Sequence, residues 1–316
     1  MSAPLISVVI PCYNRSALLR RAIDSVLAQG VPAAEIIVVD DGSTDDSQTV
    51  CASYGRRIEY VWQKNAGASS ARNTGVNRAR NPWVAFLDSD DYWTPTHLKK
   101  MVAAINETAG AANFYFSDMQ MGEGKNATTL WQMIGFAPPK LVQLTADGTN
   151  WAFLKRQPTM LQCAVFRKDA WLASGGLEPR FRLVHDTDIF FHLSAGANIC
   201  AVAGVGCIQT DDDVSVVRLT TAVHSRDTAY WEECAGMWAK VLQKLPNLRE
   251  PYRKMARFNL AISHWRLLRL NWSAGQRGRS LSHLSPIILA APAFLFSLLA
   301  HRKSDVAAPV VSPEYK

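Results

Sequence analysis

Three carboxylates, Asp88, Asp90 and Asp91, stand directly after the apolar run Val84-Ala85-Phe86-Leu87. A short apolar run bounded by polar residues reads as a buried strand, so the acids arrive where that strand surfaces. Like charges this close repel one another unless a cation neutralises them. A hard divalent cation, Mn²⁺ or Mg²⁺, held by carboxylate oxygens and by the phosphates of a substrate, does this. A solvated turn is the plainer alternative. A second acidic group, His185-Asp186-Thr187-Asp188, opens a predicted helix. Acids there suit the helix dipole, and a carboxylate within reach of a reacting hydroxyl also takes its proton.

The elements that must position these acids alternate. Strands are predicted at Leu5–Ile10, Glu35–Val39, Ile58–Trp62, Trp83–Leu87 and Asn113–Ser117. Helices are predicted at Arg15–Gln29, after Asp40-Asp41-Gly42, at Ala68–Ala79, and from Thr94-Pro95 to about Ala109. Ser43 or Thr44 is the expected cap of the second helix, with Asp45 and Asp46 in its first turn. This order predicts an α/β fold with a mainly parallel, Rossmann-like sheet covered by helices on both faces. Ligands of such sheets bind at the carboxyl ends of the strands. The four ends here read Pro11-Cys12-Tyr13-Asn14, Asp40-Asp41-Gly42, Asn65-Ala66-Gly67 and Asp88-Ser89-Asp90-Asp91. On one sheet edge they make a single polar crevice.

Beyond this half the pattern loosens, and 122–157 carries no assignable element. A strand at Gln162–Phe166, a short helix at Asp169–Ala173 and a turn at Gly175-Gly176 follow. Further helices are predicted at Asp186–Ala195, Val223–Leu245 and Tyr252–Trp272, the last two amphipathic.

The 316 residues, 48% hydrophobic and 19% charged, suffice for a large core. Six cysteines without Cys-x-x-Cys or metal-like spacing read as core thiols of a reducing compartment. The Ile6–Ile10 run, ended by Pro11, is too short for a signal peptide. A cytoplasmic location is therefore expected. The net charge of +7 is concentrated: Arg249–Lys303 holds ten Lys or Arg and one acid, Glu250. Trp265, Leu267, Leu268, Leu270 and Trp272 are interleaved with these cations. The apolar run Leu284–Ala300, bounded by His301-Arg302-Lys303, follows. Basic, aromatic and apolar residues in this order suit an anionic membrane surface. No nucleic-acid reader motif is present. A helix over the run would reach roughly 26 Å at about 1.5 Å per residue, short of a bilayer core of about 30 Å. Pro292 would kink it. A kinked helix dipping into the membrane is expected over a full span or a soluble packing helix.

Val8-Val9-Ile10-Pro11-Cys12-Tyr13-Asn14 and Val38-Val39-Asp40-Asp41-Gly42-Ser43-Thr44-Asp45 resemble family 2 glycosyltransferases of the GT-A fold. So do Asn65-Ala66-Gly67, Ala71-Arg72-Asn73-Thr74-Gly75 and Phe86-Leu87-Asp88-Ser89-Asp90-Asp91. The resemblance is strong over residues 6–117 and looser over 158–195. It implies an inverting, metal-dependent transfer of a sugar from a nucleotide-diphosphate sugar, a UDP-sugar foremost, to a hydroxyl of a glycan or lipid-linked acceptor. Pro11, Tyr13, Asn14, Asp40, Asp41, Asn65, Gly67, Arg72, Asp88 and Ser89 would then line the donor. Asp90 would hold Mn²⁺ or Mg²⁺, with Asp88 and Asp91 as further candidates. Asp186 would be the base, with Asp188 its rival. Two departures stand out: His185 where the family carries Glu, and Leu177 where it favours Phe. Asp211-Asp212-Asp213 falls where such enzymes carry a phosphate-closing loop but reads as a solvated acidic loop, with Arg218 beyond it a candidate contact to the diphosphate. The division expected is a catalytic domain over 1–220, with a nucleotide-sugar half to 118 and an acceptor half beyond it. A helical membrane-associating region over 221–303 and a flexible tail complete the chain. The rivals are a catalytically inactive scaffold of the same fold, favoured by the altered His185-Asp186 pair, and a nucleotidyltransferase. The latter would need a Gly-rich phosphate loop that Pro11–Asn14 is not.

Overall fold

The computed structural model of the protein describes residues 3–124, 127–210 and 227–290. Strand β1 (Ile6–Cys12) is buried at every position, as expected of a strand covered on both faces. Helix α1 (Ser16–Leu27) buries Leu19, Ala22, Ile23 and Val26. Next come β2 (Glu35–Asp40), α2 (Ser47–Ala52), β3 (Glu59–Trp62), α3 (Ala68–Arg78) and β4 (Trp83–Phe86). The chain continues through β5 (Tyr92–Trp93), α4 (His97–Glu107), β6 (Phe114–Met121), β7 (Thr128–Thr129), α5 (Leu130–Ile134), β8 (Val142–Thr145) and α6 (Thr149–Ala152). Then follow β9 (Ala164–Arg167), α7 (Lys168–Ser174), α8 (His185–Ser194) and β10 (Ile199–Gln209). Four helices close the described chain: α9 (Thr228–Lys244), α10 (Tyr252–Ser273), α11 (Arg277–Leu281) and α12 (Leu284–Ala290).

One mixed sheet runs in the order β3-β2-β1-β4-β9-β6-β10-β5, with β7 beside β6 and β8 beside β10. The first four strands are parallel, and their register sets Cys12 opposite Asp40 and Asp40 opposite Trp62. Phe86 lies opposite Val9 on the other side of β1. The carboxyl ends of all four strands therefore open on one edge, as the alternating pattern requires. The parallel expectation holds for this half. Antiparallel β9 is inserted between β4 and β6, and β5, β7 and β8 are also antiparallel to their neighbours.

Several elements differ from the sequence expectation for definable reasons. Helix α2 starts at Ser47, not after Ser43 or Thr44, because the Asp45 carboxylate accepts from the Ser47 amide (3.0 Å) and hydroxyl (2.6 Å). Helix α4 starts at His97, with Pro95 outside it. Its Leu98 amide donates to the Gln29 side chain at the end of α1 (2.9 Å), which itself donates to the Thr94 carbonyl (2.8 Å). A residue distant in sequence thus supplies the cap. Leu161–Cys163 is a 3₁₀ turn preceding β9, not the start of the strand. The longest strand, β10, was not foreseen. Its sequence, Ile-Cys-Ala-Val-Ala-Gly-Val-Gly-Cys-Ile-Gln, has two glycines in its interior, which argue against a strand locally. Its register against β6 shifts between Val202 and Cys207. A Cβ on Gly206 would fall within 2.3 Å of the Ser117 hydroxyl and the His97 ring, so only glycine lets β10 pass there.

The main core packs both faces of the sheet, with Phe86, Phe114, Phe166, Trp171 and Phe190 in ring contact beneath α7 and α8. A second core joins Phe153, Phe181 and Phe191 to Met237, Val241 and Ala256. The C-terminal helices α9 and α10 thus share apolar side chains with α8. At the opposite end of the sheet, Glu35 ties three segments together. It accepts from the Ser7 hydroxyl (2.6 Å), the Arg80 amide (2.6 Å) and the Asn81 side chain (3.0 Å), and pairs with the Arg80 guanidinium (2.7 Å). Burial alone would raise the Glu35 pKa, but these donors hold it below the usual carboxylate range. Its stabilisation is therefore present at neutral pH and disappears as pH falls through the lowered value. Glu35→Gln is expected to lower unfolding free energy by about 1–3 kcal/mol at pH 7. The difference from wild type, read by urea unfolding, should shrink below about pH 4.

Candidate active site

The crevice is lined by loops that follow β1, β2, β3 and β4. Asn14, at φ 50°, joins the first two: its amide donates to the Ser43 hydroxyl (2.9 Å) and its side-chain oxygen accepts from the Thr44 amide (2.8 Å). Tyr13 beside it is exposed, whereas Pro11 is buried within β1. Asp40 is buried. Its two oxygens accept from the Ser43 amide and the Tyr60 hydroxyl, both at 2.8 Å. Burial, with the Asp40 charge and hydrogen bond behind it, pushes the Tyr60 phenol pKa up, so Tyr60 remains the donor. Asp41 takes the Gln63 side chain (2.6 Å) and the amides of Ala66 (2.9 Å) and Gly67 (2.7 Å). It fastens the loop that carries Asn65 and begins α3. Gly42, at φ 82°, meets this loop so closely that a Cβ would lie 2.9 Å from the Asn65 nitrogen. Asn65 itself is exposed at the crevice rim.

Helix α3 lies against β1 because Gly75 has no side chain: a Cβ there would be 2.2 Å from Val9 Cγ1. Arg72, one turn earlier, is carried by that contact to the sheet edge. Its guanidinium is buried and pairs with Asp88 (Nη2 to Oδ1, 2.5 Å), while Nη1 lies 3.3 Å from His185 Nε2. His185 Nδ1 faces the Arg182 carbonyl (3.1 Å) and donates to it. His185 Nε2 also lies 2.8 Å from Asp186 Oδ1. When protonated it donates to Asp186, and when bare it accepts from Arg72. Asp88, Arg72, His185 and Asp186 thus line up from the end of β4 to the start of α8. Burial and the charges of Asp90 and Asp186 raise the Asp88 pKa against the opposing pull of Arg72. Burial works in the same direction on Asp186, but His185 and Arg72 outweigh it and hold that carboxyl below its ordinary value.

Asp88, Asp90 and Asp91 each present a carboxylate oxygen within 4.8 Å of the other two. Such hard, charged oxygens fit Mg²⁺ or Mn²⁺ shared with phosphates. Asp88 and Asp90 are partly exposed to the crevice, whereas Ser89 and Asp91 are buried. Asp91 accepts from Gln162 (3.1 Å), which favours Asp88 and Asp90 as the oxygens a metal would meet. Asp90 Oδ2 pairs with Arg15 Nη1 (2.8 Å), and its carbonyl accepts from the Thr210 hydroxyl (2.8 Å).

Asp188, the rival base expected from the sequence, lies within α8. The side chain has no exposure and is held by Lys240 Nζ (2.6 Å) and His192 Nε2 (3.3 Å). It faces the C-terminal helices because it lies two residues beyond Asp186 on a helix. His185, which stands where the family carries Glu, is buried. Asp211, Asp212, Asp213 and Arg218 lie outside the described residues. Sequence reasoning did not single out Arg15, Gln162, Glu233 or Lys240. Glu233 in α9 accepts from the amides of Arg182 (2.9 Å), Leu183 (2.7 Å) and Val184 (3.3 Å). It caps the turn that presents His185 and Asp186. Arg15 had one signal, its place directly after Asn14 at the mouth of the crevice. Glu233 and Lys240 had none, since their partners lie some fifty residues away.

The sheet order, with an acidic loop after its fourth strand and a helix N-terminus across the crevice, is a GT-A arrangement. The family model described as "Glycosyl transferase family 2" matches residues 7–171, and the chain belongs to that family. The match ends before His185-Asp186. An uncharacterized glycosyltransferase of Rickettsia prowazekii is 39% identical over 105 residues, 33% of each chain. One from Rickettsia bellii is 27% identical over 77% of this chain and 34% of its own length. The chain thus spans about a third of the length of these relatives. A putative teichuronic acid biosynthesis glycosyltransferase of Bacillus subtilis, TuaG, is 40% identical over 35% of this chain and 46% of its own. Among solved structures, S. aureus TarS 1-349 in complex with UDP-GlcNAc superposes with a TM-score of 0.67 at 18% identity. That superposition covers 93% of this chain and 83% of TarS 1-349.

Lys240→Met would leave the Asp188 charge buried beside His192 alone. It is expected to cost about 3–5 kcal/mol in urea unfolding, whereas Lys240→Met combined with Asp188→Leu should recover most of the loss.

Proposed function

We propose that the protein transfers a sugar, with inversion, from a nucleoside-diphosphate sugar to a hydroxyl of a glycan or lipid-linked acceptor of the cell surface. The observation that carries this reading is the line of Asp88, Arg72, His185 and Asp186. It sets a group suited to a diphosphate and a carboxylate suited to an acceptor hydroxyl on opposite walls of one crevice. Attack by that hydroxyl on the anomeric carbon breaks the bond to the diphosphate. Asp186, ionised at neutral pH by its neighbours, takes the hydroxyl proton. Arg72 and Arg15 are the guanidiniums nearest the place where the leaving diphosphate gains charge, which preorganised donors stabilise. A divalent cation on Asp90 and Asp88 would supply further charge neutralisation there. A uridine nucleotide is the first donor to test, since the GT-A relative TarS has been solved with UDP-GlcNAc and with UDP. The name of the Bacillus relative points to a wall polysaccharide as the kind of product.

The reading includes peripheral attachment at the cytoplasmic face of a membrane. All six cysteines are free and buried, which suits a reducing compartment. No helix among the described residues is long and apolar enough to cross a bilayer. Helix α12 ends the described chain at Ala290, so the expected kink at Pro292 lies outside it. Trp272 (55% exposed), Leu281 (54%) and Leu289 (79%) stand out on α10, α11 and α12. Arg266, Arg269 and Trp231 line a groove of about 750 Å³ beside Trp272. Exposed aromatic and aliphatic groups among arginines suit an anionic interface.

UDP should raise the melting temperature of the protein, and more so with Mn²⁺ or Mg²⁺. A flat response to every nucleoside diphosphate would leave the inactive-scaffold alternative in place. Asp186→Asn is expected to keep that stabilisation while losing about 10²–10⁴-fold in turnover. Full transfer by this variant would remove Asp186 as base. In co-sedimentation, phosphatidylglycerol vesicles should retain the full chain and phosphatidylcholine vesicles should not. Each of Arg266→Gln and Arg269→Gln should weaken retention roughly fivefold, about 1 kcal/mol per cation.

A further inference from the structure

The two guanidiniums that pair with carboxylates of the acidic loop are held very differently. Arg72 is enclosed, with 6% of its side chain exposed, and is gripped by Asp88 on one side and His185 on the other. Arg15 sits outside any regular element, as the N-cap of α1 with a non-helical φ of −133°. It directly follows Asn14, another residue off the regular conformations. Its side chain is 17% exposed, and its guanidinium partner is Asp90 Oδ2 at 2.8 Å. Asp90 is also the carboxylate best placed for a divalent cation, because Asp91 is committed to Gln162 and Asp88 to Arg72. One carboxylate cannot give its full charge to both an arginine and a metal. Three guanidiniums, those of Arg15, Arg21 and Arg72, stand against the three carboxylates, so the loop draws a free divalent cation only weakly.

We propose that Arg15 is the exchangeable counter-ion of Asp90. A divalent cation arriving with a nucleoside diphosphate takes the Asp90 oxygen, and the released Arg15 guanidinium moves to the diphosphate. Guanidinium and phosphate make strong paired hydrogen bonds, so the exchange costs Arg15 no partner. Arg72 cannot make this move without stranding Asp88 and His185. Metal and nucleotide then bind with positive coupling: each removes the obstacle to the other, and by linkage the effect is mutual. The inference rests on the metal-assisted reading of the crevice and adds how its metal and donor affinities are tied together.

The test is a titration of the full chain with Mn²⁺, with free Mn²⁺ read by electron paramagnetic resonance, in the absence and presence of saturating UDP. Wild type, Arg15→Gln and Arg15→Lys are compared, with thermal melts to verify folding. Without UDP, Arg15→Gln should bind Mn²⁺ roughly twofold to fivefold more tightly than wild type, the size of a partly exposed ion pair. The factor by which UDP strengthens Mn²⁺ binding should fall in Arg15→Gln and be largely restored in Arg15→Lys. Equal or weaker Mn²⁺ binding by folded Arg15→Gln without UDP overturns the exchange, and so does an unaltered UDP effect. A wild type that binds no Mn²⁺ even with UDP overturns the metal reading itself, and the exchange with it.

Discussion

A buried guanidinium is tolerable only with partners, since a charge removed from water and left alone costs several kcal/mol. Arg72 finds its partners in Asp88 at the end of β4 and His185 at the start of α8, while its Nε is left unpaired. The two halves of the chain are thereby joined across the crevice by one side chain. Its position depends in turn on α3 lying directly against β1, which Gly75 permits. The Asp41 carboxylate, holding the Ala66 and Gly67 amides, fixes where α3 begins. The site is assembled from the sheet outward: strand register first, then the helix, then the guanidinium, then the two carboxylates it separates.

The acids of the motifs divide by this architecture into two kinds. Asp41, Asp45, Asp91 and Asp188 spend their oxygens on amides, hydroxyls, a glutamine and a lysine of the protein. Asp88, Asp90 and Asp186 keep part of their surface open to the crevice. Neighbouring residues in one motif therefore do different work. Asp90 stays partly exposed and Asp91 is buried, the two sitting at the end of a tight turn closed by the Asp91 amide on the Asp88 carbonyl. Asp186 and Asp188 separate on a helix, about 200° apart around its axis.

The first half of the fold was legible because its signals are local. Alternating apolar runs, turn residues and helix periodicity named β1 to β4 and the helices between them, and the parallel register then forced their ends onto one edge. Where the sequence misled, the deciding contact came from elsewhere in the chain. Gln29 supplies the cap of α4. Gly206, which looks like a strand breaker in β10, is there because Ser117 and His97 leave no room for a side chain. The short elements in 122–157 were invisible because none carries enough periods of its own pattern. At the site, the resemblance pointed to Asp40, Asp88, Asp90, Asp186 and Arg72, but nothing in the motifs pointed to the burial of His185 between Arg72 and Asp186. Nor did they disclose Arg15 on Asp90, a pairing between residues seventy-five positions apart.

Glu233 and Lys240 stand seven residues apart on α9, two helical turns along one stripe. The first receives the amides that lead into α8, and the second holds Asp188 within it. Helix α9 is thus a two-point jig for α8: its axial position and its rotation are both copied into the angle at which Asp186 meets the crevice. Exchanging C-terminal regions among relatives would preserve that angle only where the carboxylate and the ammonium travel together at this spacing. The helical region is part of the instrument that aims the carboxylate, and cutting it away would blunt the site without touching a single residue of the crevice.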